Sequence, residues 1–155
     1  MKNNFLPIEG HIHPAYLKKI EETFYNNPFA SLIGIEIDGL SENYCRLSLT
    51  AQKKCANPYG CVHGGVLATL ADIAMGVSMQ TIGLQPVTAE LTMNYLSRAD
   101  LGGRFLAEGR VIFKGAAVIL CECTIKTGDR VVALGKGIFT GRDLPVKVKK
   151  EGSQD

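Results

Sequence analysis

The stretch from Gly64 to Ile82, GGVLATLADIAMGVSMQTI, carries one charged side chain, Asp72, in nineteen residues. It is the strongest constraint on what this chain can fold into. At about 100° per residue, Leu67, Leu70, Ala71, Ala74, Val77 and Ser78 share one helical face, and Gly65, Ala68, Thr69, Asp72, Gly76 and Met79 share the other. Neither face is polar, so a helix over 64–82 is expected to be enclosed on nearly all sides. Asp72, Gln80 and the interspersed Gly, Ser and Thr residues mark a buried helix and not a membrane span. The second face is built of small residues, which permit another element to approach closely.

An enclosed helix does not hold an unpartnered carboxylate cheaply, so Asp72 must find partners. A structural hydrogen bond to a nearby backbone group or hydroxyl would serve, and so would a chemical role. The start of the helix poses a related question. Its first N–H groups lack intrahelical acceptors and carry the positive end of the helix dipole. Gly64 and Gly65 leave those groups open to a ligand oxygen, so a carbonyl could be polarised there and an oxyanion held. The same pair would also serve as a permissive loop-to-helix junction. His63 could cap the helix or orient the loop before it, and Asn57-Pro58 is by itself a turn signal.

Around this helix the periodicity alternates between two kinds of element. Residues 14–27, PAYLKKIEETFYNN, repeat apolar side chains at helical spacing behind Pro14, which suits a first turn. A short turn or helix, PFASLIG, follows. Ile33, Ile35 and Ile37 then alternate with polar or small residues as in a half-buried strand. A turn is expected over 39–43, and Cys45, Leu47 and Leu49 mark a second strand. Residues 52–62 read as a loop. After the helix, strands are expected over 86–97, 104–113, 117–126 and 130–140, with turns at Lys114-Gly115 and Thr127-Gly128-Asp129. Short connections suggest that these four form an antiparallel meander. The tail from Asp143 is Lys-rich and is expected to fray. The fold class expected is α+β: one long helix wrapped by a curled antiparallel sheet of about six strands, plus an N-terminal helix.

The chain has 155 residues and 46% hydrophobic content, enough for a core of its own and most simply one domain over 1–155. With 17 basic and 15 acidic residues and no Trp, nothing points to a nucleic-acid surface. Five cysteines, without a CxxC pair, argue against a disulfide framework or structural zinc and for a reducing, cytoplasmic setting. The N-terminal MKNNFLPIEG lacks the apolar core of a signal peptide, and no membrane partner is expected. His11-x-His13 lacks the further ligands a metal would need, and Cys121-x-Cys123 puts two thiols on one strand face, as core packing does.

The string Asn57-x5-His63-Gly64-Gly65-x6-Asp72 resembles the hotdog-fold acyl-CoA thioesterases, in particular their PaaI-like branch. The resemblance runs from about residue 30 to residue 140 and agrees with the expected element order. It implies that the Gly64 N–H polarises the thioester carbonyl, helped by the Asn57 side chain. It implies that Asp72, from the opposite subunit, is the nucleophile or the general base that activates water, and that His63 orients the site. Thr88 falls where the family places a hydroxyl that positions the water or the carboxylate. Gly65, Ala68 and Thr69, with Met75, are expected to line the acyl pocket. Arg98, Lys114 and Gly115, and the lysines at 147, 149 and 150, are candidates for the CoA end. An aromatic or medium-chain acyl-CoA is the implied substrate. No cofactor is needed, since coenzyme A is part of the substrate, and no metal. A homodimer with shared sites, stacked as a dimer of dimers, is the implied assembly. Two other functions fit a hotdog domain: a non-catalytic acyl-CoA sensor, which usually adds a DNA-binding domain and loses the acid, and an acyl-thioester hydratase or dehydratase, which usually lacks this motif.

Overall fold

A computed structural model of the chain describes residues 6–7 and 11–146. In chain order the elements are β1 (Leu6–Pro7), α1 (Pro14–Tyr25), α2 (Pro28–Ile33), β2 (Ile35–Ser41), β3 (Tyr44–Thr50), a 3-10 turn at Lys53–Cys55, α3 (Gly64–Gln80), β4 (Leu84–Tyr95), β5 (Arg104–Lys114), β6 (Ile119–Thr127) and β7 (Arg130–Asp143). The candidate lysines at 147, 149 and 150 lie outside the described residues.

Local chemistry sets the helix ends. Pro14 opens α1, and the His13 ring caps it by accepting the Ala15 N–H at 3.2 Å. Asn27 caps α2, its Oδ1 accepting the Phe29 and Ala30 N–H groups at 3.0 and 3.1 Å. Gly34, with φ near 90°, ends that helix in the left-handed region. The alternation expected from Ile33 therefore starts two residues late. Ile33 closes α2, because the Asn27 cap and Pro28 nucleate a helical turn before the strand can begin. The turn expected over 39–43 shrinks to Glu42-Asn43, where Asn43 takes φ 62°, and Gly39 to Ser41 stay in β2.

Six antiparallel strands follow the order β2-β3-β5-β6-β7-β4, and β1 adds to β2 in parallel at the edge. The expected four-strand meander is therefore three strands, β5-β6-β7. β4 crosses to the far edge and pairs with β7, from Leu84 against Asp143 to Tyr95 against Ala133. The reason is the position of α3. The helix lies across one face of the sheet, β4 leaves its C-terminal end through the short turn around Gly83, and the segment after Tyr95 returns to the other side, where β5 joins β3. Only the start of the tail, to residue 146, is described, and there Asp143 still belongs to β7 and Leu144 is buried with its N–H on the Gly83 carbonyl at 2.8 Å.

Leu67, Leu70, Ala71, Ala74 and Met75 of α3 are buried against Leu47, Leu49, Phe105, Ala107, Cys121, Cys123 and Ile125. The helix sinks into the sheet at Gly109 of β5, where any Cβ would overlap the backbone of Ala74 and Met75. Total enclosure of α3, expected from its composition, is not found within one chain. From Ala74 to Met79 every helix residue is buried, whereas Gly64, Val66, Ala68, Thr69, Asp72 and Ile73 are only half-buried and Gly65 is exposed. The sheet covers one face and α1 reaches only the C-terminal half, through Ile20 and Phe24, so the N-terminal half keeps an open strip of small residues.

Candidate active site

The strip open on α3 is the one that carries the motif. His63 stands just before the helix, and its Nδ1 accepts the Gly65 N–H at 2.9 Å, capping the first turn. A neutral imidazole that accepts at Nδ1 carries its proton on Nε2. The Gly64 N–H has no acceptor among the described residues, and lies where the helix dipole is most positive. The carbonyl of Gly64 accepts the Tyr95 hydroxyl at 3.0 Å, and the Tyr95 ring lies against the Gly64 Cα, within 3.2 Å of where a Cβ would stand. Nothing in the sequence singles out Tyr95: a tyrosine closing a strand is common, and only the crossing of β4 past the start of α3 gives it this neighbour.

Two turns further along α3, Asp72 has the partner its setting requires. The Thr88 hydroxyl of β4 donates to Asp72 Oδ1 at 2.8 Å. A cavity of about 230 Å³ opens beside this pair, with Ile73, Gly76 and Val77 of α3 and Phe139 of β7 as its apolar part and Thr23, Asn27 and Gln80 as polar neighbours. Gly76 sits under the Pro86 ring there. The contributions of α1, through Thr23 and Phe24, and of the α2 cap left no trace in the sequence, because Asn27 reads there simply as the end of a helix.

A second, larger and mainly apolar groove of about 550 Å³ lies beside the helix start, where Phe29 and Leu32 of α2 face His63, Gly65 and Thr69 across Lys54. Ala68 is half-buried between the two cavities and lines neither. Met75, expected to line a pocket, is instead fully buried against the sheet. Asn57 folds its own loop: its Oδ1 accepts the Tyr59 and Cys61 N–H groups at 2.9 and 3.2 Å, and its Nδ2 approaches Cys61 Sγ at 3.1 Å. That loop is tied to the helix start, since the His63 N–H donates to the Cys55 carbonyl and the Val62 N–H to the Ala99 carbonyl, each at 2.8 Å.

The residues proposed for the CoA end separate. Arg98 is at the Gly64 end, exposed, with Nε on Asp100 Oδ1 at 2.8 Å; that hydrogen bond, with the Asp100 charge, raises its pKa. Lys114 and Gly115 sit in the β5–β6 hairpin, and Lys114 borders cavities shared with Tyr16 and Ile82, near the C-terminal end of α3. Within one chain they are remote from Gly64, because α3 is 17 residues long, about 25 Å. Among the described residues no group of three or more metal-ligating side chains gathers, and no helix is long and apolar enough to cross a membrane.

A long helix lying in one curled antiparallel sheet, with its motif at the open helix start, defines this protein as a hotdog fold. It belongs to the thioesterase superfamily, whose family model matches residues 59–134. The relative named "Putative esterase SSO1253" from Saccharolobus solfataricus is 32% identical over 132 residues, 83% of each chain. The acyl-coenzyme A thioesterase PaaI of Escherichia coli is 26% identical over 115 residues, 74% of this chain and 82% of that one. The structure of the E. coli PaaI protein superposes with a TM-score of 0.79 at 23% identity, over 84% of this chain and 95% of that one. The Streptococcus mutans protein smu.793, solved bound to acetyl CoA, superposes at 0.68 and 23% identity, over 71% and 90% of the two chains.

Proposed function

We propose that this protein hydrolyses an acyl-CoA of aromatic or medium chain length to the free acid and CoA, at sites completed by a second copy of the chain. The observation that carries the reading is the pairing of an acceptor-free Gly64 N–H with a Thr88-held Asp72 on one half-open helical strip. These two groups are eight residues apart, about 12 Å along the helix axis, whereas reacting atoms must come within about 3–3.5 Å. One chain cannot bring both to the same thioester. Two α3 helices packed antiparallel can, with Asp72 of the partner subunit beside Gly64 and the two-fold axis passing close to Ala68. The small side chains at Gly65, Ala68 and Thr69 suit such an approach, and β4 offers a free edge for the two sheets to join.

In this arrangement the thioester oxygen lies against the Gly64 N–H, with the Asn57 amide as a second donor. Asp72 either attacks the carbonyl carbon, so that the C–S bond breaks, CoA leaves as its thiolate and water hydrolyses the resulting anhydride, or takes a proton from an attacking water, after which the tetrahedral intermediate expels the same thiolate; Thr88 holds the carboxylate in line. The negative charge that develops on oxygen meets a dipole already oriented, which is where such donors contribute most. Relatives support the substrate class: PaaI carries the name of an acyl-CoA thioesterase, and smu.793 was solved with acetyl CoA. The cavity beside Asp72, about 230 Å³ and partly apolar, suits an acyl group of modest size.

The test is release of free CoA from phenylacetyl-, hydroxybenzoyl-, hexanoyl- and palmitoyl-CoA, by wild type beside Asp72→Asn. Turnover by the wild type with a loss of at least about 100-fold in the variant is expected. Equal activity in both would make Asp72 structural. Tight binding of acyl-CoA with no turnover by the wild type would favour a sensor instead.

A further inference from the structure

We infer that Tyr95 is a positioning residue for the reaction: with His63 it clamps the Gly64–Gly65 peptide and so steadies the turn that carries the Gly64 N–H. This rests on the reading of Gly64 as the donor to the thioester oxygen. The peptide between two glycines has unusual freedom to rotate, which suits access but not aim. Here both of its polar atoms are held from opposite sides. The Tyr95 hydroxyl donates to its carbonyl oxygen at 3.0 Å, and its N–H donates to His63 Nδ1 at 2.9 Å. The three groups form one chain, O–H to C=O, then N–H to imidazole, in which each bond polarises the next.

Two consequences follow from the clamp. Rotation of the 64–65 peptide would break both bonds, and the adjoining 63–64 peptide, which carries the Gly64 N–H, is held by the Val66 N–H on the His63 carbonyl at 2.9 Å, so the turn that presents the Gly64 N–H keeps one shape. His63 is held as an acceptor at Nδ1, which leaves the proton on Nε2 and gives the exposed edge of the ring a donor. The Tyr95 ring adds a steric element, since a Cβ at position 64 would stand only 3.2 Å from it. Tyr95 is 52% exposed, more than a residue kept for core packing would be. The same strand holds Asp72 through Thr88, seven residues earlier, so β4 fixes both functional groups of α3 by side-chain hydroxyls.

The deciding variant is Tyr95→Phe, which keeps the ring and removes only the hydroxyl. The readouts are amide hydrogen exchange at Gly65, the tautomer of His63 from its ring nitrogen shifts, and steady-state kinetics on the best acyl-CoA of the panel. The expected result is faster exchange at Gly65, about 3- to 10-fold, with the rest of α3 unchanged, a smaller Nε2–H fraction at His63, and a similar fall in kcat with KM within about twofold. Unchanged exchange and an unchanged tautomer in Tyr95→Phe overturn the clamp, whatever the kinetics. Faster exchange with kcat unchanged overturns its role in turnover. If the wild type hydrolyses nothing on the panel, the thioesterase reading falls and the exchange measurement still decides the clamp.

Discussion

Replacing Thr88 by valine keeps the shape of the side chain and removes the hydroxyl that donates to Asp72 Oδ1 at 2.8 Å. A hydrogen bond to a charged group contributes about 1.5–3 kcal/mol. Thr88 is exposed and Asp72 half-buried, so water competes for the bond and the lower end applies. At about 1.4 kcal/mol per factor of ten, kcat should fall roughly tenfold. The loss belongs in kcat and not in KM, because the hydroxyl orients the carboxylate and is not needed to bind the substrate. Thr88→Ser, which restores the donor, should recover most of the rate. The assay is steady-state release of CoA, followed with a thiol reagent, for wild type and both variants. Melting temperatures should stay within a few degrees, since an exposed substitution changes stability little. An unchanged kcat in Thr88→Val, or an equal loss in Thr88→Ser, would refute the reasoning and leave the bond as a structural tie between β4 and α3.

Three further substitutions probe the frame around the site. Gly109→Ala would drive a methyl into the backbone of Ala74 and Met75, which cannot yield as a side chain would; a loss near the top of the usual overpacking range, about 3 kcal/mol, should lower the thermal midpoint by about 6–12 °C in calorimetry. Ala68→Glu would place two like charges close to the proposed two-fold axis, so sedimentation should show monomer and hydrolysis should vanish with it; a dimer of full activity would refute the antiparallel helix pairing. Burial pushes the Glu108 carboxyl up, but hydrogen bonds from Tyr44 and Lys126 outweigh it and leave the group below its ordinary value of 4.5. Its contribution to stability is therefore present above pH 4.5 and lost as pH falls through the lowered value. The gap in urea midpoint between wild type and Glu108→Gln should narrow between pH 6 and pH 3, and a constant gap would contradict the assignment.

What the sequence discloses is set by how local the cause is. The spacing around Leu67, Leu70 and Ala74 places α3, and the Pro14 and Gly128 signals mark a helix start and a hairpin, because each acts within a turn or two of chain. Ile33 misleads, since its alternation with Ile35 and Ile37 competes with a cap and a proline six and five residues earlier. The partner of β4 could not be read at all: its neighbour in sequence is β5 and its neighbour in space is β7, a choice made by where α3 lies. At the site, the apolar helix with one carboxylate raised the question, and the resemblance of the Asn57-to-Asp72 string suggested an answer. The structure adds a hydrogen bond from the Thr88 hydroxyl to Asp72. Tyr95 and the α1 side of the cavity depend on contacts between elements far apart in sequence, and no local pattern announces them.

The pairing of β3 with β5 joins residues as far apart as Tyr44 and Arg110, sixty-six positions along the chain. Asn57, His63, Gly64, Asp72, Thr88 and Tyr95 all fall inside the loop which that pairing closes. The β5-β6-β7 hairpins can assemble from near neighbours, but the closure must offset the entropy of a long loop before any of its contacts stabilise it. The step that forms the functional groups' surroundings is therefore expected to be the slow one, and recovery of activity after denaturation should lag behind recovery of strand signal; simultaneous recovery would contradict this order.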